Sequence, residues 1–98
     1  MVRDLSDILV VLRSLKDELH RRFRVTRLEV FGSTGRGEHG PASDLDLLAE
    51  FSEDADMFDL VGLEQFLAER LGMPVDVVPK RSLRKEFREE VLREAIAV

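Results

Sequence analysis

The sequence predicts a small mixed α/β (α+β) domain, with a sheet of about three strands and helices packed on one face. Three observations lead there. Apolar residues recur at helical spacing in three long segments. Three short segments alternate polar and apolar residues or concentrate valine, as strands do. Glycine and proline mark the boundaries between them. The order reads helix, strand, strand, helix, strand, helix. A sheet covered on one face is the economical way to bury those stripes.

Leu5, Ile8, Leu9, Leu12, Leu15, Leu19 and Phe23 form one helical stripe, so residues 4–23 read as a single amphipathic helix. The segment Thr26-Arg27-Leu28-Glu29-Val30-Phe31 alternates and reads as the first strand, closed by Gly32. Residues 32–43 carry Gly32, Gly35, Gly37, Gly40 and Pro41 and read as a loop. A second strand is expected over 44–51, followed by a polar, acidic turn over 52–56. Leu60, Leu63, Leu67 and Leu71 predict a helix over 57–71, with Gly72 as its stop. Pro74 and Pro79 bracket Val75-Asp76-Val77-Val78, the third strand. A closing helix is expected from about Leu83 to Ala97, with Ser82 as its N-cap and Leu83, Phe87, Val91 and Ile96 inward.

Bulk properties narrow the function. At 98 residues the chain is expected to be one domain, residues 1–98, with a modest core. Hydrophobic residues at 44% exclude a disordered chain. There is no cysteine, hence no disulfide framework and no thiolate metal site. A net charge of -5 speaks against broad nucleic-acid binding, which depends on clustered cations. No apolar run suits a membrane span and the N-terminus lacks a signal-peptide core, so a cytoplasmic location is expected. The basic stretch 80–88 and the acidic stretch 50–59 read as solvated surface, and Lys80, Arg81 and Arg84 as a solvated helix start rather than a contact to an acceptor or partner. His20 and His39 read as surface histidines, and no His–carboxylate set suggests zinc.

The chemistry concentrates in Phe31-Gly32-Ser33, ten further residues, then Asp44-Leu45-Asp46-Leu47. Alternation along the second strand places Leu45, Leu47, Ala49 and Phe51 on one face and Asp44, Asp46, Leu48 and Glu50 on the other. The apolar face belongs on the core. Two neighbouring carboxylates repel unless a cation neutralises them. Mg²⁺, hard and oxygen-seeking, suits such a pair together with substrate phosphates. Asp76 interrupts a valine-rich strand, an unfavourable place for it. If Val75 and Val77 face the core, Asp76 joins the face of Asp44 and Asp46. Three carboxylates beside a glycine loop suit two-metal phosphoryl transfer. In the loop, Gly32 permits close approach to a phosphate, Ser33 adds a hydroxyl donor and Arg36 a positive charge.

This pattern, Gly-Ser followed after ten residues by Asp-x-Asp and then by a distal Asp in a strand, resembles the DNA polymerase β-like nucleotidyltransferase superfamily. At this length it looks like the minimal nucleotidyltransferase (MNT) branch. The resemblance extends over nearly the whole chain, from the leading helix through "VFGSTGRGEHGPASDLDLLAEF" and "MPVDVVPKRSLR" to the closing helix. It implies that Gly32 and Ser33 contact the β- and γ-phosphates of ATP. It makes Asp44 and Asp46 ligands of both Mg²⁺ ions. Asp76 would complete the catalytic metal site and help deprotonate the acceptor hydroxyl. Thr34 departs from the pattern, since many members carry Arg there; Arg36 stands in a position that commonly holds Arg.

MNT proteins resemble the antitoxin half of HEPN/MNT toxin–antitoxin pairs, in which the HEPN protein is a ribonuclease. By that resemblance the partner is a HEPN-type toxin, without direct contact to nucleic acid or membrane. The activity is transfer of one or several AMP units from ATP to a Tyr hydroxyl near the ribonuclease site. The chain is expected to have little surface of its own for an acceptor, so that a partner supplies it, and either a homodimer or a hetero-oligomer with the toxin fits. Two alternatives stand beside this reading: an antitoxin that neutralises its toxin by covering it, which the Thr34 departure favours, and a small-molecule nucleotidyltransferase.

Overall fold

The computed structural model describes residues 4–31 and 45–98, apart from the side chain of Phe87. The apolar stripe of the first segment forms two helices rather than one, α1 (Leu5–Ser14) and α2 (Lys16–Phe23). They meet at Leu15, whose N–H donates to Leu12 O at 3.1 Å in place of the usual partner one residue further back. Ile8, Leu12, Leu15, Leu19 and Phe23 stay buried across the joint, so the periodicity continues where the helix does not. Asp4 starts α1 by accepting a hydrogen bond from Asp7 N–H at 3.0 Å. Arg24 ends α2 in the left-handed region, at φ 62°.

Two antiparallel strands follow, β1 (Val25–Phe31) and β2 (Leu45–Phe51). Their register sets Val30 opposite Leu47 and Leu28 opposite Ala49. These four side chains, with Leu45, face α1, α2 and helix α3 (Met57–Leu71) in one continuous core. A reciprocal capping box opens α3: Asp56 accepts from Asp59 N–H, and the Asp59 carboxylate accepts from Asp56 N–H. Leu63, Leu67 and Leu71 of α3 are buried, and Gly62 lies against the Phe23 ring, where a Cβ would come within 3.0 Å of it. Gly72 closes α3 at φ 68°, a conformation that glycine adopts without strain.

Strand β3 (Val75–Pro79) runs parallel to β2 on its other side. After a 3₁₀ turn over Lys80–Ser82, helix α4 spans Lys85–Glu94 with Arg84 at its N-cap, so the closing helix starts later than Leu83 and Ser82 does not cap it. That helix also ends before Ala97. Ile96–Ala97 forms a fourth strand, β4, antiparallel to β1. Among the described residues the sheet is the small mixed sheet expected, with one strand more than the three read from the sequence, in the order β3-β2-β1-β4. The physical reason is the open edge of β1. Ile96 pairs with Val30, Ala97 with Glu29, and Val98 N–H donates to Leu28 O at 3.0 Å, satisfying backbone groups that an uncovered edge leaves unpaired.

Helix α4 contributes no described residue to the buried core cluster; Val91, like Leu83 ahead of the helix, is only half-buried, and Leu92 is exposed. Among the described residues no helix is long and apolar enough to cross a membrane.

Candidate active site on the sheet face opposite the core

Alternation gives the sheet two unlike faces. One carries the core. The other carries Glu29 of β1, Asp46, Leu48 and Glu50 of β2, and Asp76 and Val78 of β3. Asp46 and Asp76 are direct register partners in the parallel β2–β3 pair. Register partners project to the same side, on strands about 4.8 Å apart. The two carboxylates are therefore neighbours on the face turned away from the core. Val77 is 4% exposed and Val75 packs against the core, so the intervening Asp76 is driven outward, where it is exposed.

On its other side Asp46 is paired with Phe31, the last residue of β1. In sequence, residues 32–44 fall between Phe31, the partner of Asp46 on β1, and Leu45, which precedes Asp46 on β2. Gly32, Ser33, Arg36 and Asp44 lie outside the described residues. Of the expected site, Asp46 and Asp76 are brought together. Among the described residues no cluster of three metal-binding side chains forms.

Three further residues shape the site without having been singled out from the sequence. Glu29 is buried on the carboxylate face and lies 3.7 Å from Arg27 Nε. The alternation of β1 contains that signal, since Glu29 shares the parity of Phe31 and opposes that of Leu28 and Val30. Glu50 lies 3.9 Å from Arg27 Nε and 3.6 Å from Lys80 Nζ, a chain of charges across β1, β2 and the turn after β3. Glu64 of α3 reaches the free edge of β3 and accepts a hydrogen bond from Val77 N–H at 2.8 Å. No sequence signal marks it, because the contact joins residues brought together only by packing.

Comparison with known proteins gives the family. The family model of the nucleotidyltransferase domain matches residues 12–98. The chain belongs to the nucleotidyltransferase domain family. The protein adenylyltransferase MntA of Thermococcus cleftensis is 40% identical over 96% of this chain and 95% of its own length. A solved structure assigned as a minimal nucleotidyltransferase superposes with a TM-score of 0.86 at 40% identity, covering 98% of this chain and 97% of that one. The fold also matches the structure of a tri-AMPylated Shewanella oneidensis HEPN toxin in complex with its MNT antitoxin. There the TM-score is 0.63 at 21% identity, over 90% of this chain and 69% of that one, a likeness of fold. This nucleotidyltransferase has the four-stranded mixed sheet described above, with Asp46 and Asp76 on the face opposite the core.

Proposed function

We propose that this nucleotidyltransferase is a Mg²⁺-dependent protein adenylyltransferase that transfers one or several AMP units from ATP to a Tyr hydroxyl of a HEPN-type ribonuclease, acting as the antitoxin of a type VII toxin–antitoxin pair. The observation that carries the reading is the in-register placement of Asp46 and Asp76 on the sheet face opposite the core. Family membership supplies the reaction class. The Thermococcus relative, a protein adenylyltransferase, supports a protein as acceptor.

The donor set fits magnesium: Asp46 and Asp76 offer hard carboxylate oxygens side by side, and Asp44 precedes Asp46 by two positions. Bound there by Asp44, Asp46 and Asp76, Mg²⁺ would neutralise the triphosphate and the charge that develops in transfer. The chain's own groups do the rest. Gly32 and Ser33 hold the β- and γ-phosphates through backbone N–H and hydroxyl donors, and Arg36 adds a fixed charge. Asp76 accepts the acceptor hydroxyl's proton as its oxygen attacks the α-phosphorus and pyrophosphate leaves. The added negative charge on the toxin repels RNA at its active site.

A second reading has a specific observation behind it. Met57 and Phe58 are 69% and 86% exposed, and Val61 one turn on is also exposed, an apolar patch suited to covering a partner without chemistry. Incubation with ATP, Mg²⁺ and the cognate HEPN protein separates the two. Catalysis is expected to raise the intact mass of the HEPN protein by one or more AMP units, and an unmodified partner overturns it. Asp44→Asn with Asp46→Asn is expected to abolish neutralisation; full neutralisation by that variant favours masking.

A further inference from the structure

Asp76 stands on an edge strand. Strand β3 is short, Val75–Pro79, and pairs with β2 alone. Among the described residues no hydrogen bond or ion pair reaches the Asp76 carboxylate, which is exposed. The direction of that carboxylate is therefore set by the direction of its strand. Asp46 differs: its strand is paired on both sides, with Phe31 of β1 and with Asp76 itself.

Three restraints fix where β3 lies. The side chains of Val75 and Val77 pack on the core and hold the strand down against it. Hydrophobic contact is non-directional, so it leaves the strand free to shift within the plane of the sheet. The ladder to β2 holds the inner edge. On the outer edge the backbone N–H of Val77 donates to Glu64 Oε2 at 2.8 Å. Glu64 is firmly seated, because Leu63 and Leu67 on either side of it in α3 are fully buried. Its hydrogen bond is directional and ties the strand, one residue beyond Asp76, to a helix of the core.

We infer that Glu64 is a positioning residue for Asp76: by tethering the outer edge of β3 it sets the separation of the Asp46 and Asp76 carboxylates. The inference rests on the adenylyltransferase reading above, which makes Asp76 the proton acceptor, and adds the residue that keeps it in place. Glu64 acts only through the backbone of Val77. A pair of carboxylates of which one can drift holds a cation less well. A misplacement of about 1 Å at a reacting group costs on the order of 10²-fold in rate.

The test compares three variants. Glu64→Gln keeps the acceptor oxygen and drops the charge, Glu64→Asp keeps the charge and falls one methylene short, and Glu64→Ala removes both. Each is assayed with the cognate HEPN protein at saturating Mg²⁺, at a temperature where circular dichroism shows it fully folded. In Glu64→Asp and Glu64→Ala, kcat is expected to fall by roughly tenfold or more, with KM for ATP within about twofold of wild type. Glu64→Gln is expected to stay within about twofold of wild type in both. Mg²⁺ alone is titrated in parallel, through the amide resonances of Asp46 and Asp76. Its affinity is expected to fall roughly fivefold or more in Glu64→Asp and Glu64→Ala, and to change less than about twofold in Glu64→Gln. An unchanged kcat in Glu64→Ala overturns the proposal. So does a Glu64→Gln as slow as Glu64→Ala, because the charge rather than the bond would then act. Absence of any transfer by the wild type is instead a failure of the adenylyltransferase reading. The Mg²⁺ titration then decides: the expected order of affinities supports the tether, and equal affinities, or no binding by the wild type, overturn it.

Discussion

Glu64, on α3, accepts a hydrogen bond from the backbone N–H of Val77 at 2.8 Å, one residue beyond Asp76. Strand β3 lies at the edge of the sheet, with β2 on one side only. Leu45 N–H donates to Pro74 O on the inner side, so the backbone groups of Val77 point outward by the alternation of a parallel ladder. Glu64 thus supplies the partner that a further strand would have given. It also blocks that edge against pairing with another chain.

Loss of this acceptor leaves a part-buried N–H unsatisfied. Glu64→Ala is expected to lower unfolding free energy by about 1–2 kcal/mol, and Glu64→Gln, whose amide oxygen still accepts, by less than half of that. Urea denaturation measures both. Faster amide exchange at Val77 in Glu64→Ala, with exchange at Leu47 little changed, ties the loss to the strand edge.

The neighbouring carboxylates make an activity prediction with an opposite sign for stability. Asp46→Asn or Asp76→Asn is expected to lower AMP transfer by about 10²-fold or more, because each removes a charged oxygen from the proposed metal site. Asp76→Asn removes no core packing and relieves repulsion between adjacent carboxylates. Its melting temperature in the absence of metal should equal or exceed that of the wild type. Chelation by EDTA should abolish transfer by the wild type, and added Mg²⁺ should restore it.

Arg24 joins the end of α2 to the start of α3. Its Nη1 donates to both oxygens of the buried Asp59 at 3.1 Å, and its Nε donates to Asp54 at 3.0 Å. The Ser52 hydroxyl, and then the Arg24 guanidinium, hold the Asp54 carboxyl below its ordinary pKa. A depressed carboxylate stabilises the fold above its unfolded pKa and loses that contribution as pH falls through the folded one. Arg24, raised from an already high value chiefly by its hydrogen bond to Asp54, stays charged throughout. Stability should therefore decline below about pH 4, and Asp54→Asn should flatten that part of the profile. Arg24→Ala, which leaves the buried Asp59 carboxylate without its cation, should lower the urea midpoint more than Arg22→Ala, which breaks an exposed pair with Glu18 and the stacking of Arg22 over Phe23 and Phe66.

Leu67 is fully buried between α3 and the sheet. Leu67→Ala is expected to cost about 2–5 kcal/mol, as core truncations do. At the exposed Phe58 of the same helix, Phe58→Ala should be nearly neutral for the isolated chain. A loss of partner binding by Phe58→Ala, with stability intact, would assign the apolar patch to docking.

Local pattern alone determined the strand character of β1, β2 and β3, the apolar stripes of α1, α2 and α3, and the stop at Gly72, because each depends on residues within a turn or two of one another. Alternation likewise showed that Asp76 opposes Val75 and Val77. Tertiary structure decided what depends on partners distant in the chain. The break at Leu15 was invisible because the buried stripe runs straight through it. The helix expected through Ala97 gave way to strand at Ile96 because β1 had an open edge to fill. Only strand order could seat Asp76 in register with Asp46, thirty positions apart in sequence, since a parallel neighbour is reached through a helix whose length fixes no register. The same holds for Glu64 and for the contact of Lys80 with Glu50: charge can be read from a sequence, but which charges converge is set by the packing of the sheet.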